Sequence, residues 1–324
     1  MSISPAVALD AGTPTAAWRA SPPPRQSVAD IAARLYPRAG MADRLGRLQF
    51  VLLSARHWTV MRDWLARLRT PPLGWLAGRH VHLFDKPLHP YLNRHLNPAQ
   101  RLHWLGSHYE FLARRLSPAR FRELHTTGRR LALLPDVEGP PAGLWLSYDR
   151  RQERCGELTL SLWSGRGAAL VSISFTLLDR PPGRQRTLAI GRLQAAPGAI
   201  HPVVLRQIGA PAHGLGTSAL SFAALQLLAA TLGVRRLIAV GDAARIDRRS
   251  REHVSDGLWH ELGAKPAGNG FVELPLEPML REPSGAAADE RGMWLGRYRV
   301  LERLRTDITQ ALAGAERRPR LAGA

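Results

Sequence analysis

The spacing of hydrophobic residues is typical of helices from about residue 27 to residue 130 and typical of strands after that. In "HWTVMRDWLARL", the residues Val60, Met61, Trp64 and Leu68 recur at the three- and four-residue spacing of one helix face. We therefore predict a helical region over residues 27–135. The preceding residues 1–26 are rich in Pro, Ala and Ser, which predicts a disordered N-terminal segment.

Two further helices of this region begin at capping signals. Asn97 precedes Pro98, and Ser117 precedes Pro118. Asn and Ser side chains accept hydrogen bonds from the free amides of a first helical turn, and a proline at the first helical position has no amide to leave unpaired. We predict that a helix begins at each site.

Four short segments after the helical region have the composition of β-strands. They are separated by Gly, Pro, Asp and Arg turns and read "GLWLSYD", "GELTLSLW", "AALVSISFTLL" and "RTLAIGRLQ". In the second segment, Leu158, Leu160 and Leu162 alternate with Thr159 and Ser161, so one face of that strand is apolar. The spacing predicts an antiparallel meander. A helix, the strand "RRLIAV", a strand near "GFVELPL" and a C-terminal helix over 293–313 follow.

These elements predict an α+β fold, with a helical N-terminal region packed on a mixed, mostly antiparallel sheet. The sheet domain and its C-terminal helix occupy residues 136–313, and a disordered tail follows at 314–324. A strand, a helix and a parallel strand form one unit of this sheet.

The charge of the chain indicates which partners it attracts. The formal net charge is +19, and lysine occurs only at Lys86 and Lys265, so nearly all the positive charge is arginine. Such a surface attracts phosphate, nucleic acid or anionic lipid headgroups. No nucleic-acid-binding module is recognisable, which makes nucleic acid the weaker alternative. We therefore expect an anionic membrane surface as the partner.

Several classes of protein are excluded by residue usage. Cys155 is the only cysteine, which excludes an intrachain disulfide and a cysteine-based zinc site. The sequence has no G-x-S-x-G elbow, no P-loop and no H-E-x-x-H helix, and we predict no metal site. The N-terminus lacks the pattern of a secretory signal, and no run of 18 apolar residues is present. We expect a cytoplasmic protein without a transmembrane segment, which could lie at the inner membrane surface.

The helix that contains Trp58 and Trp64 allows two interpretations. Arginines surround its apolar face, a composition found in helices that lie in a membrane interface. A helix of this kind in a soluble protein also packs its apolar face on the core. The arginines are Arg56, Arg62, Arg67 and Arg69.

A glycine-rich turn marks the most regular stretch, "HGLGTSALSFAALQLLAATLGVRRLIAV". Gly214 and Gly216 lead into an apolar helix, and a strand follows. Unpaired amides and the helix dipole attract anions to a helix N-terminus, and glycine permits close approach to the backbone. The turn is either a cradle for a phosphate-bearing ligand or a packing junction of the core. In the first interpretation, the other contributing residues are Arg206, His213, Thr217 and Ser218.

The chain resembles the VirK/YbjX family of bacterial proteins over roughly residues 30–305. The matching segments include "KPLHPYLNRHL", "LHWLGSHYEFL", "LRQIGAPAHGLGTSAL", "LWHELGAKPAGNGFVELP" and "MWLGRYRVLERL". The resemblance implies a role in the cell envelope, namely the surface display of virulence proteins and resistance to antimicrobial peptides.

The order of elements also resembles the core of GNAT-type N-acetyltransferases. In that fold, a meander is followed by a strand, a glycine-rich turn, a helix and a parallel strand, and the helix amides bind the pyrophosphate of coenzyme A. The resemblance implies acyl-CoA as the cofactor and an acyltransferase activity. Glu157 and Tyr298 are candidate catalytic residues, as base and acid. The alternative is a non-catalytic binding or chaperone-like protein that associates with an anionic membrane or an envelope protein.

Overall fold

The computed structural model of the protein describes residues 26–134, 141–179, 185–195, 212–246, 256–278 and 288–313. Residues 1–25 of the predicted N-terminal segment, the predicted tail 314–324 and Arg206 lie outside these ranges. The division into regions 27–135 and 136–313 stays a prediction.

The described ranges begin with six helices and end with one, and two further helices lie among the strands between them. The helices are α1 (Val28–Leu35), α2 (Met41–Arg56), α3 (Trp58–Arg67), α4 (Leu73–Arg79), α5 (Pro98–Arg115), α6 (Pro118–Thr126), α7 (Thr217–Thr231), α8 (Asp256–Glu261) and α9 (Ala288–Ala313). The strands are β1 (Arg129–Leu134), β2 (Ala142–Ser147), β3 (Leu158–Trp163), β4 (Ala169–Leu178), β5 (Thr187–Ala195), β6 (Arg236–Val240), β7 (Lys265–Gly268) and β8 (Phe271–Leu274).

All eight strands form one sheet, in the order β1-β2-β3-β4-β5-β6-β8-β7. Strands β1 to β5 form an antiparallel meander, β5 and β6 are parallel, and β8 pairs antiparallel with β6 and β7. Helix α5 packs on β4, α7 packs on β3 and β4, and α9 packs on α7 and β1. The predicted α+β fold with a mixed, mostly antiparallel sheet is confirmed.

The predicted helix starts are confirmed by the capping contacts. The Asn97 side chain accepts from the Gln100 amide at 2.9 Å, and the Gln100 side chain accepts from the Asn97 amide at 2.9 Å. The Ser117 hydroxyl accepts from the Arg120 amide at 3.4 Å. These contacts pair amides that the first turn of a helix leaves without backbone partners.

The predicted apolar face of α3 packs in the core. Met61 and Trp64 are fully buried, and Leu65 and Leu68 are buried beside them. The Trp64 indole donates to the Leu83 carbonyl at 2.6 Å. Of the two interpretations of this helix, the structure therefore shows packing on the core.

Two strands were not predicted. Strand β1 consists of "RRLALL", whose residues are good helix formers, yet its pairing with β2 holds it extended. Strand β7 consists of "KPAG" at the edge of the sheet, the position where a strand tolerates proline. In both segments tertiary pairing decides the conformation.

The parallel pair β5 and β6 ends at a bulge. Pairing between the two strands stops at Ile190 and Ala239, and Gly191 is the extra residue of β5 opposite β4. A Cβ at Gly191 would lie 1.9 Å from the Cys155 carbonyl oxygen, so a side chain there would collide with the backbone. Beyond Gly191, β5 pairs with β4 alone among the described residues. In open sheets, ligands bind beyond the carboxyl ends of parallel strands.

Candidate functional site

The glycine turn before α7 has a left-handed backbone at two successive residues. His213 has φ of 51° and Gly214 has φ of 79°. A Cβ at Gly214 would also lie 3.3 Å from an Arg297 guanidinium nitrogen, so conformation and space both favour glycine there. The left-handed pair turns the chain into the N-terminus of α7.

Gly216 is the N-cap residue of α7 and provides no side chain to cap the helix. Its φ of −64° suits any residue, and a Cβ built there would have no neighbour within 4 Å. Thr217 is buried, while Ser218 is half-buried. Open space thus adjoins the first turn of a 15-residue helix, whose amides and dipole favour an anion.

Helix α9 lies against the turn. The Arg297 guanidinium donates from Nε to the His213 carbonyl at 2.8 Å. A Cβ at Gly296 would lie 2.3 Å from the His213 ring, so α9 can lie this close to the turn only because residue 296 has no side chain. The turn and α9 form two walls of one recess.

A cavity of about 180 Å³ lies between the turn, α7, α9 and the end of β1. Its apolar wall consists of leucine, valine and alanine side chains, and its polar groups are His213, Arg299 and Arg303. The apolar lining residues are Leu133, Leu134, Ala212, Leu220, Val300 and Leu304. An apolar recess with cationic groups suits a ligand that has both an apolar part and a negative charge.

Glu157 lies in a buried polar cluster instead of this cavity. Its Oε1 is 2.7 Å from the Lys86 ammonium, and its Oε2 accepts a short hydrogen bond from the Tyr109 hydroxyl. Burial alone would raise the pKa of Glu157. The nearby charge of Lys86 and the hydrogen bonds from Lys86 and Tyr109 outweigh burial, so the pKa lies below its ordinary value.

Aromatic and imidazole side chains enclose this cluster. The Lys86 ammonium lies 5.4 Å from the ring centre of Tyr91 and 5.8 Å from that of Tyr148. Burial lowers the pKa of His108 to about 3 and that of His125 to about 4, so both imidazoles are neutral. Within the described residues the Nε2 atoms of both imidazoles are buried without a hydrogen-bond partner.

Tyr298 lies on α9 between Arg297 and Arg299. Its side chain is half exposed, and its ring stacks on Trp294 with the centres 5.9 Å apart. It does not line the cavity. The structure therefore does not bring Tyr298 and Glu157 together.

Of the predicted cofactor residues, the structure brings His213, Gly214, Gly216, Thr217 and Ser218 together at the start of α7. Sequence reasoning missed Arg297, Arg299 and Arg303 of α9, which no local pattern connects to a turn more than 80 residues earlier. It also missed Lys86. The available signal was that lysine is so rare in this arginine-rich chain.

Two absences hold for the part of the chain that the structure describes. No helix there has both the length and the apolar character needed to span a bilayer. No cluster of three or more His, Cys, Asp or Glu side chains there is arranged to hold a metal ion.

Comparisons with known proteins connect the chain to a family. Residues 40–310 match the family model described as "Protein of unknown function (DUF535)". The uncharacterized protein YbjX of Escherichia coli (strain K12) is 27% identical over 278 residues, which cover 83% of this chain and 84% of YbjX.

Among solved structures, a mutant of the cAMP-binding acyltransferase from Mycobacterium smegmatis is 13% identical, with a TM-score of 0.28. The match covers 72% of this chain and 66% of that protein, slightly less than two thirds of its length. A TM-score this low carries no argument about this chain. Since the family model spans most of the chain, the protein belongs to the DUF535 family, the VirK/YbjX family that its sequence resembles.

Proposed function

We propose that the protein is a cytoplasmic acyl-CoA-binding protein with an acyltransferase-like core, which serves the cell envelope as its family resemblance implies. The observation that carries this proposal is the apolar cavity with His213, Arg299 and Arg303 beside the start of α7. The acyl group would enter the cavity, and the phosphates would lie at the helix N-terminus.

The size of the cavity favours a short acyl group. An engineered apolar cavity of about 150 Å³ in another protein binds benzene. The cavity here has a volume of about 180 Å³, which suits an acyl group of a few carbons and does not enclose a long fatty acyl chain. We therefore expect acetyl-CoA or another short-chain acyl-CoA to bind more tightly than a long-chain one.

Several groups around the turn before α7 are placed to bind the phosphates of coenzyme A. The amides of Thr217 and Ser218 belong to the first turn of α7, whose N-cap is a glycine. Arg297 already contacts the turn through the His213 carbonyl, so its positive charge lies at the same place. Gly216 leaves the space through which a phosphate would approach. Arg206 stays a prediction.

Acyl transfer would break the thioester C–S bond and form a bond from the acyl carbon to an acceptor nucleophile. The nucleophile gives up its proton, and the coenzyme A thiolate accepts one on leaving. Tyr298, between Arg297 and Arg299, remains the acid candidate for that proton. Glu157 is ion-paired and fully buried, so its carboxylate would need to be exposed before it could act as the base.

The proposal is tested by thermal unfolding with acetyl-CoA, longer acyl-CoA species and free coenzyme A. A ligand at a hundredfold over its dissociation constant stabilises the folded state by about 2.7 kcal/mol. We expect Gly216→Asp to abolish the stabilisation, because the new carboxylate would cap the helix amides and repel phosphate.

A matched control is available in the same chain. Gly40 is the N-cap of α2, with φ of −67°, and a Cβ there would also have no neighbour within 4 Å. Gly40→Asp should retain the stabilisation by acyl-CoA. If no coenzyme A species stabilises the wild-type protein, the proposal is wrong, and a non-catalytic binding or chaperone-like function becomes the better hypothesis.

A further inference from the structure

Helix α2 has an apolar stripe on its exposed side. Met41, Leu45, Leu48 and Leu52 are each between 56% and 71% exposed. They are spaced by four, three and four residues, which places them along one face of the helix. Soluble proteins expose single apolar residues freely, but a contiguous row of this kind marks a surface that contacts something else.

The opposite side of α2 already packs on the protein. Phe50 is buried, and a Cβ at Gly46 would lie 2.5 Å from the Tyr36 ring. The exposed stripe is therefore a second apolar face of α2, separate from the face that packs on the core of the described chain. Trp58, at the start of α3 and two residues after the end of α2, is also about half exposed.

Positive charge flanks the stripe. Helical geometry places Arg44 on one side of the leucine row and Arg56 on the other, and both are exposed. Residues 28–62 contain six arginines and two aspartates, Asp30 and Asp43. Asp43 accepts from the Arg38 amide at 2.7 Å, and Asp30 accepts from the Ser27 amide at 2.9 Å. Both carboxylates therefore serve local hydrogen bonds.

We propose that α2 is a docking helix for an anionic lipid bilayer. Met41, Leu45, Leu48 and Leu52 would enter the headgroup–acyl boundary, and Arg44 and Arg56 would contact lipid phosphates. An apolar face flanked by arginines is the composition of helices that lie in a membrane interface. A second copy fits less well, because a two-fold interface on this stripe would bring the same arginine rows of both copies together.

The test is co-sedimentation of the full-length protein with vesicles of equal parts phosphatidylglycerol and phosphatidylethanolamine. Vesicles of phosphatidylcholine alone serve as the neutral comparison. We expect binding to the anionic vesicles that weakens as salt is raised from about 0.05 M to about 0.5 M. Because no acyl-CoA is present, this assay is independent of the proposed cofactor site.

Two sets of variants separate the apolar and charged parts of the docking helix. Leu48→Gln with Leu52→Gln should lower the vesicle partition constant about a hundredfold, because each buried leucine contributes about a factor of ten. Arg44→Gln with Arg56→Gln should lower it about fivefold per arginine. All four residues are exposed, so circular dichroism should show an unchanged fold.

The matched control is Met293→Gln with Leu295→Gln on α9, whose side chains are 46% and 44% exposed. This double variant should bind vesicles as the wild type does. Equal binding to anionic and neutral vesicles would overturn the proposal. So would unchanged binding of the Leu48/Leu52 variant, or a dimer in analytical ultracentrifugation that this variant abolishes.

Discussion

The ammonium nitrogen of Lys86 lies 2.7 Å from Oε1 of Glu157, with the two side chains 5% and 0% exposed. Lys86 belongs to the helical half of the chain, in a 3-10 turn over Lys86–Leu88, and Glu157 directly precedes β3. The hydroxyl of Tyr109, in α5, donates a hydrogen bond to the same carboxylate. The cluster therefore connects the helical region to the sheet.

Removing one partner of this ion pair should be costly. Lys86→Met leaves the Glu157 carboxylate buried without its cation, which typically costs about 3–5 kcal/mol of unfolding free energy. Urea unfolding at neutral pH measures this loss. The double variant Lys86→Met with Glu157→Gln should regain a large part of it, because no uncompensated charge is then buried.

An exposed ion pair provides the control for this experiment. Arg236 and Glu273 lie 3.0 Å apart, and their side chains are 36% and 48% exposed. Arg236→Met should cost less than about 1 kcal/mol. An equally small cost for Lys86→Met would show that the buried pair does not hold the two halves together.

Acid should destabilise the protein through its buried histidines. The pKa values of His108 and His125 lie at about 3 and about 4 in the folded protein because burial disfavours the imidazolium form. The unfolded chain takes up both protons near about pH 6.5. Each histidine therefore contributes stability that is present above that pH and is lost as the pH falls toward its folded pKa.

Urea unfolding at several pH values should show a fall of about 1.4 kcal/mol per pH unit for each histidine below about pH 6. The pKa of Glu157 is also lowered from its ordinary value of 4.5. The stability that its carboxylate contributes is therefore lost only at lower pH, as the pH falls below that value. His125→Gln should remove one histidine's share of this slope of unfolding free energy against pH. A pH-independent free energy between about pH 6 and 5 would contradict the assignment.

The two glycines of the turn should respond differently to alanine. Gly214→Ala forces a side chain into a left-handed backbone, 3.3 Å from the Arg297 guanidinium, and should cost about 1–2 kcal/mol. Gly216→Ala has an ordinary φ of −64° and open space, so its effect should stay within about 0.5 kcal/mol. Chemical denaturation of both variants measures the difference, and equal effects would mean that the left-handed turn is not maintained.

Filling the cavity should separate acyl binding from phosphate binding. Leu220 is buried and lines the cavity, so Leu220→Phe would add volume there at a cost of about 1–3 kcal/mol in stability. We expect acetyl-CoA to lose its advantage over free coenzyme A in a thermal-shift assay. Ala229→Val, a matched enlargement elsewhere on α7, should leave that preference intact. An unchanged preference in Leu220→Phe would mean that the acyl group binds outside the cavity.

Local pattern was sufficient to predict much of the fold. Leu158, Leu160 and Leu162 are all buried in β3, and the alternation of a strand is a local property that needs no partner to be recognised. The capping residues Asn97 and Ser117 act within one turn of their own helices. The apolar sequence of α7 predicted its burial, because a helix without a polar face has no side to present to water.

The contacts that only the tertiary structure determines join residues that are distant along the chain. The pairing of Lys86 with Glu157 and the approach of Arg297 to His213 depend on which surfaces pack together, and no spacing in the sequence records this. The residues of β1 favour a helix locally, and pairing with β2 overrides that preference. The apolar stripe of α2 resembles a core face in the sequence. Only the packing of Phe50 on the opposite side leaves that stripe exposed.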